Sequence, residues 1–134
     1  MESIRLICFG ESKENLDKAI KYSVIGTKTK ISFDKNGEQL YFVLKENGEW
    51  KVFARAISGM QTDLYPFDDG YSYYTFEVTS VERCQPFGIR EIMREYLGVY
   101  YGLKLQQPSR IEIHGFISEV ERLFKANELN KVKK

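Results

Sequence analysis

Hydrophobic and polar positions alternate with two different periodicities along the chain, one typical of strands and one of helices, and together they predict a mixed α+β domain. Continuous or alternating apolar segments predict strands over residues 4–9, 39–45, 50–58, 73–83 and 110–113. Apolar positions three and four residues apart predict helices over residues 15–23, 89–97 and 116–124. Asn47-Gly48 between two strands indicates a tight hairpin. This order indicates a curved antiparallel sheet of five or six strands, closing toward a small, partly open barrel with flanking helices.

The length of 134 residues fits a single domain, assigned to residues 1–126, followed by a basic tail or linker over residues 127–134. The net charge is only +1, so any affinity for nucleic acid has to come from a local patch. No apolar run approaches the roughly 18 residues of a membrane-spanning helix. The N-terminus also lacks the basic start of a signal peptide. We therefore expect a cytoplasmic protein without a membrane partner.

Neither a catalytic nor a metal-binding signature is present in the sequence. The two cysteines, Cys8 and Cys84, are far apart, and His114 is the single histidine, so no zinc site is expected. The carboxylates do not pair convincingly for acid–base chemistry, and there is no glycine-rich phosphate loop. We therefore expect neither an enzyme nor a bound cofactor.

Aromatic residues are concentrated between Gln61 and Phe76, around the turn-forming Asp68-Asp69-Gly70. The rings of Tyr65, Phe67 and Tyr71 stand closest to this turn. They can belong to the core beneath the following strand, or they can form exposed flat surfaces on which a base stacks. The sequence leaves both interpretations open.

Basic side chains form a second candidate feature, because residues 18–33 contain four lysines and no acid. The candidate phosphate contacts in this window are Lys21, Lys28 and Lys30. A second, weaker acid-free window adds Lys104 and Arg110. A solvated helix face and loop is the simple alternative for the whole set.

The order of these patterns over residues 4–113 resembles the PUA-like superfamily, and its EVE, YTH and ASCH branches most closely. In this family a first strand leads directly into a short helix, as here, and the helix ends in a segment that corresponds to Val24-Ile25-Gly26. Asn36-Gly37-Glu38 resembles the turn that precedes the family's long hairpin. The loop with Tyr65-Pro66 and the step Pro86-Phe87-Gly88-Ile89 match the family's next loop and its entry into the following helix.

The resemblance implies a nucleic-acid-binding domain, for DNA or RNA, that takes a modified or flipped base into an aromatic pocket. The implied pocket residues are Ser23, Ile25, Gly26, Tyr65, Phe67 and Tyr71. PUA-like domains of this size also occur as N-terminal readers of McrBC-type modification-dependent restriction systems, which implies a nucleotide-hydrolysing motor domain fused at the C-terminus. A small ASCH-like nucleoside-processing enzyme and a protein-interaction module remain as alternatives.

Overall fold

The computed structural model describes residues 3–98 and 108–129 of the chain. This part contains six strands: β1 (Ile4–Cys8), β2 (Val24–Thr27), β3 (Gln39–Glu46), β4 (Glu49–Gln61), β5 (Tyr74–Gly88) and β6 (Arg110–Ile111). It contains three helices: α1 (Lys13–Tyr22), α2 (Arg90–Leu97) and α3 (His114–Ala126). No helix in these two ranges is long and apolar enough to cross a membrane.

The strands form one curled sheet that makes half of a barrel, in the order β2-β5-β4-β3-β1-β6. Neighbouring strands are antiparallel, except that β1 and β3 run parallel. Parallel strands need a long connection between them. Here α1, β2 and the residues up to Glu38 supply it, with β2 pairing at the far edge of the sheet with β5. The predicted α+β class with a curved sheet and flanking helices is confirmed.

Strand β2 is absent from the sequence prediction, which left these residues without an assigned element. Ser23 ends α1 in the left-handed conformation, with φ 56°, and its N–H donates to the carbonyl of Ala19. This single residue redirects the chain, so that β2 begins at Val24 without an intervening loop. A strand of 4 residues that includes Gly26 shows no readable alternation of apolar and polar positions.

Strand β5 extends beyond the predicted end, through Pro86 to Gly88. Proline lacks an N–H, and the pairing of β4 with β5 shifts register in this stretch, between Val52 and Ala54. The first residues of the predicted tail also join β5. The N–H of Gln85 donates to the carbonyl of Asn127 at 2.7 Å, and Glu128 bridges to Cys84. Residues 130–134 of that predicted tail lie outside the described part.

Apolar side chains cover both faces of the sheet, because alternate residues of each strand point in opposite directions. On β3, Tyr41 and Val43 join a cluster with residues of α2 and α3, while Leu40 and Phe42 join a second cluster with residues of α1. Helices α2 and α3 therefore cover one face of the sheet and α1 covers the other.

Candidate nucleic-acid interface

The aromatic loop, which we define as residues 62–73, joins β4 to β5 and is fastened to α1 by its acidic turn. One oxygen of Asp69 accepts hydrogen bonds from Asn15 Nδ2 at 2.8 Å and from the hydroxyl of Tyr73 at 2.6 Å. The ammonium of Lys18 lies 2.9 Å from Asp68. The Tyr73 hydroxyl holds the pKa of Asp69 below its usual range against the opposing effect of burial, and the Asn15 amide acts in the same direction as the hydroxyl. Both aspartates therefore act as anchors of the loop.

Three rings of the aromatic loop pack directly against one another. Tyr65 lies 6.1 Å from Phe67 and 6.3 Å from Tyr73 between ring centroids, and Phe67 lies 5.6 Å from Tyr73. A base between Tyr65 and Tyr73 would need about 7 Å, twice the contact distance of about 3.5 Å between stacked carbon atoms. In this conformation the space between the rings is too narrow for a base, and only the outer ring faces are open.

Gly26 of β2 lies beneath this ring cluster. A Cβ at this position would stand 2.9 Å from Cβ of Tyr73 and 3.1 Å from Cε2 of Phe67, so the close approach of the rings requires glycine. The carbonyl of Ser23 accepts from the N–H of Val78, which places alternate residues of β2 in hydrogen-bonded pairs with β5. Gly26 falls between those pairs, and β2 is an edge strand, so its N–H and C=O point away from the sheet.

The side chains of four predicted pocket residues fall into three groups. Tyr65 is exposed, and Tyr71 is 60% exposed, so their rings are available to a ligand. Phe67 is only 5% exposed and forms the floor between Gly26 and the outer rings. The side chain of Ile25 is fully buried in the core cluster beside α1, so this residue could face a base only through its backbone.

Sequence reasoning did not select two residues that shape this surface, Tyr73 and Asn15. Tyr73 was assigned to the start of the following strand, whereas its ring packs on Phe67 and its N–H donates to the hydroxyl of Tyr65 at 2.9 Å. The same Tyr65 hydroxyl donates to the carbonyl of Tyr71 at 2.8 Å. The dense spacing of Tyr65, Phe67, Tyr71 and Tyr73 is the sequence signal that could have included Tyr73; none marks Asn15.

The predicted phosphate contacts Lys21, Lys28 and Lys30 share one property, a positive charge that no described carboxylate neutralises. The ammonium of Lys28 lies 4.2 Å from the ring centroid of Tyr71, and that of Lys21 lies 5.2 Å from the centroid of Tyr22. Neither lysine, nor the exposed Lys30, has an ion-pair partner within residues 3–98 and 108–129. This distinguishes them from Lys18, which is paired with Asp68.

The second acid-free window provides less free positive charge for a phosphate contact. Arg110 lies 3.5 Å from the carboxylate of Glu38, and 44% of its side chain is exposed. Its charge is therefore partly neutralised within the protein. Lys104 lies outside the described residues.

A buried carboxylate fixes the loop that carries the free lysines, which we call the lysine loop (residues 28–38). Glu38 is 3% exposed and accepts from Nε of Arg5 at 2.7 Å and from the N–H of Asp34 at 2.7 Å. Burial alone would raise the pKa of Glu38, but these hydrogen bonds outweigh it and lower the pKa. Phe33 packs on Phe76, and the Arg5 guanidinium lies over the Phe33 ring. Arg5 therefore belongs to the interior of the protein.

Comparison with known proteins identifies the fold. No protein-family model matches the sequence, and no curated protein matches it. The crystal structure of the Mmi1 YTH domain superimposes with a TM-score of 0.61 at 14% identity, covering 92% of this chain and 98% of that chain. A structure of the Mmi1 YTH domain in complex with RNA gives a TM-score of 0.62 at 13% identity, covering 96% and 84%. The chain therefore has the fold of a YTH domain, as the resemblance of its sequence to the PUA-like superfamily implies.

Proposed function

We propose that this domain binds single-stranded nucleic acid, with RNA as its ligand, through a base that stacks on the aromatic loop. The observation that carries the proposal is the exposed Tyr71 ring with the free ammonium of Lys28 at 4.2 Å. A ring face binds a base and an ammonium binds the adjacent phosphate. The fold supports the choice of RNA, because two of the similar Mmi1 YTH structures are complexes with RNA.

Binding exchanges one contact of Lys28 for another. In the free protein its ammonium lies over the Tyr71 ring, which is a cation–π arrangement. A base that stacks on this ring displaces the ammonium, which can then contact the phosphate of the same nucleotide. The outward N–H and C=O of Gly26 supply a donor and an acceptor for the edge of a base beside the ring cluster. The surface thus offers stacking, charge and a hydrogen-bonding edge together.

The proposal includes a modified or flipped base, and a role as the reader of a McrBC-type restriction system fused to a motor domain. Extruding a base from a duplex takes a few kcal/mol, least when the base is unpaired or damaged. The purified domain is therefore to be screened against modified and unmodified duplexes and single strands of RNA and DNA. A motor domain encoded after residue 134 would support the restriction context. Hydrolysis of nucleosides would instead favour the ASCH-like enzyme.

We expect Tyr71→Ala to weaken RNA binding by about 1–3 kcal/mol, the usual contribution of one stacked base. Tyr71→Phe retains the ring and should lose much less. The Tyr71 side chain is largely exposed, so the thermal midpoint of unfolding should change little. Fluorescence anisotropy with labelled RNA measures the affinity, and circular dichroism verifies the fold. If folded Tyr71→Ala bound every tested nucleic acid like the parent, the exposed rings would have another role, and a protein-interaction surface would become the better explanation.

We expect the triple substitution Lys21→Glu, Lys28→Glu and Lys30→Glu to flatten the salt dependence of binding. Each phosphate contact to a single strand contributes about 0.7 to the slope of log affinity against log salt, so three contacts contribute about 2. The matched control reverses Arg90, Arg94 and Lys125, which are exposed residues of the helices on the other face of the sheet. Equal slopes for both triple variants would show that Lys21, Lys28 and Lys30 make no phosphate contact.

A further inference from the structure

We propose that Tyr22 and Lys21 form a second stacking subsite, so that the ligand is a single strand of several nucleotides rather than an isolated base. This inference rests on the proposed function and extends the same surface along α1. It assigns a binding role to Tyr22, the last residue of the helix.

The position of Tyr22 follows from the residues that contact the aromatic loop. Asn15, Lys18 and Tyr22 are spaced by three and four residues, so they share one stripe of the helix. The first two of them contact Asp69 and Asp68 in the turn of the aromatic loop. Tyr22 therefore continues this stripe by one helical turn, on the side of α1 that faces the loop.

The chemistry at Tyr22 repeats that of the first subsite. Tyr22 is 44% exposed, so a face of its ring is open to a ligand. The ammonium of Lys21 lies 5.2 Å from the ring centroid. As in the pair of Lys28 with Tyr71, the lysine has no carboxylate partner among the described residues. Each pair therefore combines a ring face with a free positive charge.

Strand β2 connects the two ring–ammonium pairs. Only Ser23 and the 4 residues of β2 separate Tyr22 from Lys28, so the two pairs are at most about 20 Å apart along the backbone. The outward N–H and C=O of Gly26 lie between them on the edge of the sheet. The two free lysines give this track two unpaired positive charges, which suits a polyanion, and the rings favour one with bases. Single-strand binding surfaces of the smallest size cover about 4 nucleotides, which is the length we infer here.

The test measures affinities for a ladder of oligoadenylates, from AMP up to roughly eight nucleotides. For the parent protein, affinity should rise with length and reach a plateau near about four nucleotides. Tyr22→Ala should weaken binding of the longer strands by about 5- to 150-fold and leave AMP binding unchanged. Tyr71→Ala should weaken AMP and the longer strands alike. Tyr22→Phe should behave like the parent, and thermal unfolding verifies that each variant folds.

Each other outcome overturns the second subsite in a distinct way. If Tyr22→Ala leaves all lengths unchanged while Tyr71→Ala weakens them, the proposed function stands and the extension fails. If Tyr22→Ala weakens AMP as strongly as the longer strands, Tyr22 belongs to the first subsite. If polyglutamate competes as well as oligoadenylate of equal charge, the track binds acidic peptides and stacking plays no part. If Tyr71→Ala also leaves every affinity unchanged, the proposed function itself fails.

Discussion

Replacing Glu38 by Gln is expected to lower the free energy of unfolding by about 3–5 kcal/mol, the usual loss when one partner of a buried ion pair is removed. Gln retains the shape of the side chain but leaves the guanidinium of the buried Arg5 without its counter-charge. The N–H of Asp34 also loses a charged acceptor. Urea unfolding at neutral pH, followed by circular dichroism, measures the difference between parent and variant.

The pH dependence of this difference provides an internal check. The pKa of Glu38 is lowered in the folded protein, so the folded state binds this proton less tightly than the unfolded chain does. The carboxylate therefore contributes its full stability above its unfolded pKa of about 4.3, and the contribution is lost as pH falls through the lower folded value. The stability difference between parent and Glu38→Gln should consequently shrink in acid. A difference that stayed constant down to pH values well below about 4 would contradict the assigned ionic role.

A substitution at a surface ion pair is the control for the buried pair of Glu38 with Arg5. Glu119 pairs with Arg122 on the exposed face of α3, so Glu119→Gln should leave stability almost unchanged. Loss of Glu38 should also loosen the lysine loop and weaken nucleic-acid binding, even though Glu38 itself touches no ligand. If stability fell but affinity did not, the lysine loop would not depend on this anchor.

Replacing Phe67 by Ala is expected to lower the free energy of unfolding by about 3 kcal/mol, at the low end for a buried phenylalanine. The ring packs on Gly26, Tyr65 and Tyr73, so its removal leaves a cavity beneath the outer rings. The low end applies because the aromatic loop lies at the surface and can partly collapse into that cavity. Differential scanning calorimetry of parent and variant gives the measurement.

Comparison with Tyr71→Ala distinguishes the floor of the surface from its exposed contacts. Phe67→Ala should lower both stability and affinity, whereas Tyr71→Ala should lower affinity alone. Phe67→Leu, which restores much of the volume, should recover most of the stability. An unchanged unfolding temperature for Phe67→Ala would mean that this ring is not part of the packed floor.

The elements whose apolar positions repeat with a clear period could be predicted from the sequence alone. The hairpin around Asn47-Gly48 and the helix with Ile89 and Met93 on one side form as expected, because local periodicity and turn chemistry determine them. Strand β2 could not be predicted. Its pairing partner, β5, is distant in the sequence. The left-handed residue that redirects the chain is Ser23, whereas glycine is the residue that usually indicates this conformation in a sequence.

The candidate site shows the same division between local and distant information. The sequence identified Tyr65 and Tyr71 as surface candidates, and both rings are exposed. It could not place Lys18, the first of the four lysines within residues 18–33, or Arg5, which precedes them in the sequence. Their carboxylate partners, Asp68 and Glu38, lie 50 and 33 residues away. Only the fold determines which charges in a basic segment remain free.

The contacts that complete the candidate interface join segments that are far apart in the sequence. Asn15 and Asp69 lie 54 residues apart, and Arg5 reaches the carbonyl of Pro108 across 103 residues. Contacts between such distant segments form late and slowly, because long loops must close first. During synthesis α1 and the lysine loop leave the ribosome well before the strand that completes their surface. The interface is therefore assembled in the same step that closes the sheet, and a partly made chain would carry the lysines without the rings that accompany them.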